Sequence, residues 1–358
     1  MSNISNRQWL SKKYIGTSEV PSDEHFELVE NKLPDVSKDE ILVRTIVLGN
    51  SPAQRMYVSE ERNFHIQVEH GEVMSSRGVG EVIASEHSGY QVGDIVQANL
   101  GWQDYKILTP DGADGSGIHS ISVQKIDNPQ RPLSTVLSMC GQLAYSAYVG
   151  IIEVGQVKPG DVVLVSAAAG GVGSMACQLA RLKGAKKVVG IAGGADKCQW
   201  LLDKGLCDEA IDYKAGDLDD AMAAAMPDGL DLYLDSVGGD MLDAALDNLA
   251  VGARVILCGM ISTEYQRPRP PGPTHYYNLI YKRARMEGFF VFDYTDRWPE
   301  FEANLREWYG KGELKNTEHT FSGLEQAPTA LGSLFTGGNT GGCVIQVSPD
   351  PEGLPSLS

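Results

Sequence analysis

Residues 162–180, VVLVSAAAGGVGSMACQLA, decide the fold. A β-branched apolar run leads directly into small residues and glycine, and helical apolar spacing begins immediately after. That is a buried strand, a glycine turn and a helix. Gly170 and Gly173 let the backbone turn tightly and approach a pyrophosphate. The helix that follows points free N–H groups and its positive dipole end at such an anion. The pattern is A-x-x-G-x-x-G rather than G-x-G-x-x-G, so its weight comes from the strand before it and the helix after it.

Working outward, the same alternation continues. KVVGIAG, EAIDY, LDLYLDS and ARVILCG read as strands, while ADKCQWLLDKGL and GDMLDAALDNLA read as helices, and RMEGFFVFDY closes the set. Alternating β and α with short connections predicts a parallel sheet with helices on both faces. Six strands fit a Rossmann-type, doubly wound α/β domain, assigned here to residues 137–310. Residues 1–136 carry short apolar runs, EILVRTIVLGN, GVGEVIAS and GDIVQANLGWQDYKIL, separated by Gly, Pro and charge. They predict a mainly β domain, with Gly93-Asp94 as a turn signal between two strands. Helices are expected in WPEFEANLREWYGKG and LEQAPTALGSLF, and GGCVIQV is expected to rejoin the first domain as a last strand, so 311–358 are assigned there. PRPPGP at 268–273 reads as a stiff, extended loop.

Composition narrows the function classes. The chain has 358 residues, 22% of them charged, and a net charge of -17. An acidic surface disfavours nucleic acid and anionic membranes as partners, whereas a local cradle can still take an anionic cofactor. The N-terminus lacks the apolar segment of a signal peptide, and no run approaches a membrane span, so the reading is a cytoplasmic protein. None of the six cysteines forms a C-x-x-C pair or clusters with histidine.

The end of the second parallel strand discriminates between cofactors. NAD-binding chains place Asp or Glu there for the ribose hydroxyls. Here Ala192, Gly193 and Gly194 occupy the position and Lys197 follows, with Asp196 beside it. A lysine attracts a 2′-phosphate, and one charge-assisted bond is worth about 1.5–3 kcal/mol. NADP(H) is therefore expected. Asp235 ends the strand before Ser236-Val237-Gly238-Gly239, and CGMIS at 258–262 ends the next. Turns at such strand ends line the cofactor crevice.

A zinc dehydrogenase of this layout carries G-H-E-x-x-G before its second hairpin. The matching stretch puts Ser76 and Arg77 at the histidine and glutamate positions, and no cysteine precedes Cys140. The first domain cannot supply a zinc ligand set, so no metal is expected.

GEVMSSRGVGEVIASEHSGYQVGDIV, GWQDY, SAAAGGVGSMACQLA, LDSVGG, CGMIS, PPGP, RARMEGFFVFDY and GGNTGG together resemble the zinc-independent medium-chain reductases. The resemblance covers nearly the whole chain and is closest to the group of prostaglandin reductases, plant alkenal double-bond reductases and bacterial curcumin reductase. It implies a GroES-like fold for the mainly β substrate domain, and NADPH-dependent hydride transfer to the double bond of an α,β-unsaturated ketone or aldehyde. It also implies a homodimer. Carried over residue by residue, Gly171 and Val172 meet the pyrophosphate, and Lys197 and Tyr213 hold the 2′-phosphate. Val237, Cys258 and Ile261 lie along the nicotinamide half, Phe289 and Val291 near the carboxamide, and Asn339 contacts the cofactor from the C-terminal segment.

Departures concentrate on the substrate half. Where the family commonly reads Ser-Gln-Tyr-Asn, this chain has Ser262-Thr263-Glu264-Tyr265. Glu264 takes the place of the tyrosine that holds the forming enolate, and Tyr265, the candidate catalytic residue, is one position away. The first-domain pocket run becomes Leu48-Gly49-Asn50-Ser51-Pro52-Ala53-Gln54-Arg55, which puts Asn50 with Glu264 in the substrate pocket. Met139-Cys140-Gly141-Gln142-Leu143 loses a threonine the family places near the carboxamide. A quinone or carbonyl reductase with the same cofactor, and a non-enzymatic NADPH sensor, are the alternative readings.

Overall fold

Two units make up the chain: residues 1–137, 319–338 and 343–358 form the first, and 138–318 with 339–342 the second. The computed structural model describes residues 4–61, 67–112 and 122–357.

In the first unit, β1 (Ser5–Ser11) and β2 (Phe26–Lys32) pair antiparallel as a separate two-stranded sheet. Next come β3 (Ile41–Asn50), the single turn α1 (Gln54–Tyr57), β4 (Arg77–Ser85), β5 (Ile95–Asn99), β6 (Tyr105–Leu108) and β7 (Gln124–Lys125). β3 reads as a continuous apolar run because both of its faces are covered. Ile41, Val43 and Leu48 join a core with Phe26, Trp102 and Leu331, whereas Ile46 and Val47 join another with Val79, Leu133 and Val344.

The second unit begins with α2 (Gln142–Tyr148), which runs on into a π-helical stretch, Val149–Val154. Then strands and helices alternate: β8 (Val162–Val165), α3 (Gly171–Leu182), β9 (Lys187–Ala192), α4 (Ala195–Asp203), β10 (Glu209–Asp212), α5 (Leu218–Ala225), β11 (Leu230–Asp235), α6 (Gly239–Asp247), β12 (Leu249–Leu257), α7 (Asn278–Tyr281) and β13 (Arg285–Gly288). α8 (Trp298–Gly310) follows. The sheet order is β10-β9-β8-β11-β12-β13, all parallel. Order reverses between β8 and β11, the switch point where such sheets open a crevice. Leu164, Val189, Tyr233 and Val255 on the strands pack with Met241, Leu242 and Leu246 of α6. Arg254 of β12 forms a buried ion pair with Asp161, just before β8, and donates Nε to Gly155 O at 2.9 Å.

The chain ends with β14 (Glu318–Ser322), α9 (Ala327–Thr336) and β15 (Gly342–Gln346). β15 pairs antiparallel with β3, Cys343 opposite Asn50, and completes the sheet β14-β15-β3-β4-β5-β7, to which β6 adds on β3.

Several expectations need correction. Residues 311–318 and 339–342, assigned to the β domain, belong to the second unit. Side chains of α3 hold the first stretch, Lys315 N–H donating to Gln178 Oε1 at 2.7 Å and the Ser174 and Thr317 hydroxyls bonding at 2.9 Å, and Gly341 N–H ties the second to Ala169 O at 2.7 Å. The closing strand is only Arg285–Gly288, because Val291–Arg297 coil into a 3₁₀ turn instead. α2, α5 and the β1–β2 pair were not anticipated. Among the described residues, no helix is long and apolar enough to cross a membrane.

Candidate active site

Parallel strands joined by right-handed crossovers put all their carboxyl ends on one edge. The sequence-predicted cofactor residues fall there, one group per strand. Gly170 follows β8, Gly193 follows β9, Tyr213 follows β10, Val237 follows β11, Cys258 follows β12 and Phe289 follows β13. Val291 lies two residues further on and is buried.

At the first of these ends, Ala167 takes a positive φ of 46°, and Gly170 caps α3 with no side-chain bond of its own. Ser174 N–H bonds back to Gly170 O at 2.9 Å. The N–H groups of Gly171, Val172 and Gly173 precede that first α-turn, as helix-start donors do. The glycines are dictated by space. A Cβ on Gly173 would lie 2.3 Å from Ala167 O, and one on Gly171 would lie 3.0 Å from Gly342 Cα. Gly341 N–H donates to Ala169 O at 2.7 Å, and Asn339 Nδ2 donates to Gly341 O at 3.2 Å. The predicted Asn339 is thus brought to the glycine corner.

At the ends of β9 and β10, the Tyr213 ring covers Gly193: a Cβ there would meet Tyr213 Cε1 at 2.7 Å and Lys214 Cε at 3.0 Å. Asp212 Oδ1 accepts from Gly194 N–H at 2.8 Å and Lys214 N–H at 3.0 Å, which fixes this loop. Those two amides hold the Asp212 carboxyl below its ordinary value. Lys197, half-buried on the first turn of α4, is pushed below the usual lysine value by burial and then by Lys214. Among the described residues Lys197 has no carboxylate partner, whereas the Lys214 charge acts on the Asp212 carboxylate. Asp196 is exposed. Two neighbouring cations, one of them without an acidic partner, suit a phosphate dianion. Lys214 was missed in the sequence, although it directly follows Tyr213.

At the ends of β11 and β12 the two turns interlock. Val237 O accepts from Ser262 N–H at 3.1 Å and from Ser262 Oγ at 2.6 Å, and Ile261 N–H reaches Ser236 O at 3.4 Å. The buried Asp235 carboxylate beneath them organises the first turn. Its Oδ1 accepts from Tyr233 Oη at 2.8 Å, Val237 N–H at 2.9 Å, Gly238 N–H at 3.0 Å and Ser166 Oγ at 3.2 Å. Burial pushes the Cys258 thiol up to about 11, so it stays protonated at neutral pH. Glu264 and Tyr265 are half-buried in the turn that follows, where Glu264 N–H bonds Met260 O at 2.9 Å. The Phe289 ring packs toward Gly150, 3.3 Å from where a Cβ would stand.

Asn50 lies in the first unit, at the end of β3. It is buried, its Oδ1 accepts no hydrogen bond among the described residues, and its Nδ2 sits 4.0 Å from Cys343 Sγ. Ser76 Oγ donates to Gly49 O at 2.9 Å, a structural role for the residue at the would-be histidine position. Among the described residues, no three His, Cys, Asp or Glu side chains gather as a metal-ligand set.

A family model described as the N-terminal domain of oxidoreductase matches residues 7–115, and one described as zinc-binding dehydrogenase matches 171–307. The NADPH-dependent curcumin reductase of Escherichia coli (strain K12) is 35% identical over 350 residues, covering 96% of this chain and 98% of that one. The chain belongs to the zinc-independent group of the medium-chain dehydrogenase/reductase family. The 2-alkenal reductase (NADP(+)-dependent) of Nicotiana tabacum is 36% identical over 349 residues, covering 96% and 98% of the two chains. The crystal structure of CurA in complex with NADPH from Vibrio vulnificus superposes with a TM-score of 0.86 at 36% identity, covering 96% of this chain and all of that one. The fold of this medium-chain reductase follows that of its family.

Proposed function

We propose that this medium-chain reductase uses NADPH to reduce the carbon–carbon double bond of an α,β-unsaturated ketone or aldehyde. The observation that supports the reading is a glycine corner, a lysine-bearing loop and two interlocked turns at the carboxyl ends of six adjacent parallel strands.

The N–H groups of Gly171, Val172 and Gly173, with the positive end of α3, bind the pyrophosphate. Lys197, Lys214 and Tyr213 grip the 2′-phosphate. Val237, Cys258, Ile261, Phe289 and Val291 wall the nicotinamide half and keep water from it, and Asn339 closes the corner. When bound, the dinucleotide supplies the hydride. The chain then has to hold the carbonyl oxygen as it gains negative charge. The Tyr265 hydroxyl is the donor proposed for that oxygen. Glu264 serves only when protonated, since its carboxylate repels an enolate. Asn50, buried at the end of β3 with an Oδ1 that accepts no hydrogen bond among the described residues, is the first unit's candidate substrate contact.

The test follows NADPH consumption over an enone, a quinone and a simple ketone. The enone is expected to turn over fastest, and Tyr265→Phe to lower that rate at least about tenfold. Faster turnover of the quinone or ketone, or tight NADPH binding without turnover of any of the three, defeats this reading.

The chain also forms a homodimer through the β13 edge. Ile280, Tyr281 and Val251 are 75%, 68% and 62% exposed, and Gly252 N–H bonds Lys282 O at 2.7 Å, which brings their two segments together. Exposed apolar residues beside a free strand edge invite a second copy. The six unpaired thiols suit the reducing cytoplasm.

A further inference from the structure

Asp235 is an anomaly in its surroundings. It is fully buried, yet among the described residues no Lys, Arg or His pairs with it. Buried carboxylates ordinarily have a cation or a metal. Only hydrogen-bond donors meet this one. The N–H groups of Val237 and Gly238 can do nothing but donate, and Ser166 Oγ, which reaches Oδ1 at 3.2 Å, already accepts from Ser236 N–H at 2.8 Å. Burial pushes the carboxyl up from the ordinary aspartate value, and the amides of Gly238 and Val237 with the hydroxyls of Tyr233 and Ser166 pull it back. The charge sits one hydrogen bond from Val237, through Oδ1. Cys258 is tied to the same residue through the main chain, its N–H donating to the Asp235 backbone O at 2.7 Å. Both residues are among those assigned to the nicotinamide half, and the inference rests on that assignment.

The reaction moves a hydride, with both electrons, from the dihydropyridine ring to the β-carbon of the substrate. The C–H bond of the ring breaks and a C–H bond forms at the β-carbon. The ring is left as a pyridinium cation, the substrate becomes an enolate, and a proton from water completes the saturated carbonyl. A positive charge therefore appears on the cofactor where none was before.

We propose that the uncompensated carboxylate of Asp235 is the partner of that developing charge, and that it makes the bound cofactor a stronger hydride donor. The buried negative charge costs stability when the ring is neutral and is compensated when the ring is cationic. Preorganised charge of this kind acts without reorganisation during the step.

The measurable consequence is thermodynamic. Calorimetry gives Kd for NADPH and for NADP⁺, at one pH, for the wild-type chain and for Asp235→Asn. Loss of the charge is expected to weaken NADP⁺ relative to NADPH by about tenfold, the size of a unit-charge interaction across several ångströms of protein. Tyr233→Phe removes a donor and leaves the charge less shared, so it is expected to shift the ratio the other way, by about twofold or more. An Asp235→Asn ratio within about twofold of wild type overturns the proposal. If Asp235→Asn does not fold, Tyr233→Phe decides: a shift toward NADP⁺ supports the proposal, and no shift or the opposite shift overturns it. A wild-type chain that binds neither dinucleotide would instead remove the cofactor reading itself.

Discussion

At the level of single residues, Lys197 and Lys214 are the ones proposed to set the cofactor preference. Lys214 packs against Gly193 and its charge acts on Lys197, in a chain whose net charge is -17. Replacing either with glutamine is expected to raise the Kd for NADPH about tenfold, in line with one charge-assisted bond, and to leave NADH nearly unchanged. Fluorescence titration of both dinucleotides checks it. The pH dependence follows from the same pair. Burial and Lys214 lower the Lys197 value below the ordinary 10.5, and a bound phosphate favours the charged form. NADPH affinity therefore falls as pH rises through that lowered value, while NADH affinity does not. Gly170, Gly173 and Lys197 were legible in the sequence because a strand, a turn and a helix lie consecutively there. Lys214 was not, since its meeting with Gly193 depends on β9 and β10 lying side by side. Asp235 could be seen to end a strand, but its four donors come from two strands and a turn.

Among the elements, β8, β9 and β11 were the most legible because each is a short, largely apolar run that is mostly buried. α5 was not, since its run of Asp and Ala has little apolar contrast. The structure shows its start fixed by Asp217, whose side chain accepts from Asp220 N–H at 3.1 Å. β13 is shorter than its apolar sequence suggests, because the aromatic residues after Gly288 pack around α8 instead: the Phe292 and Trp298 rings are 5.8 Å apart. The buried pair Arg254–Asp161 joins the start of β8 to β12 and, through Gly155 O, to the end of the π-helical stretch. Arg254→Ala leaves Asp161 buried and unpaired, so it is expected to cost about 3–5 kcal/mol of stability. A urea titration should show a lower midpoint with an unchanged slope.

Across the molecule, the sequence separated a mainly β part from a doubly wound part, but the boundary near the C-terminal segment was unreadable. Whether 311–318 and 339–342 join one unit or the other depends on contacts with α3 and the glycine corner, not on local pattern. The assembly is tested at this scale. Light scattering of the wild-type chain is expected to give twice the chain mass, and Ile280→Glu with Tyr281→Glu to give the single-chain mass, because burying two carboxylates in an apolar contact opposes association. A wild-type monomer would remove the dimer.

The chain passes between its two units four times, and β15, which lies between β14 and β3, is made after every other strand. As the polypeptide emerges from the ribosome, the first unit has most of its sheet but a gap beside β3, and the second lacks the segment that backs its glycine corner. Both gaps close only when the same short stretch, residues 339–346, becomes available. Neither unit can mature ahead of the other in the usual N-to-C sequence of domain folding. Completion of the nucleotide cradle and of the β sheet is thus a single late event in biogenesis.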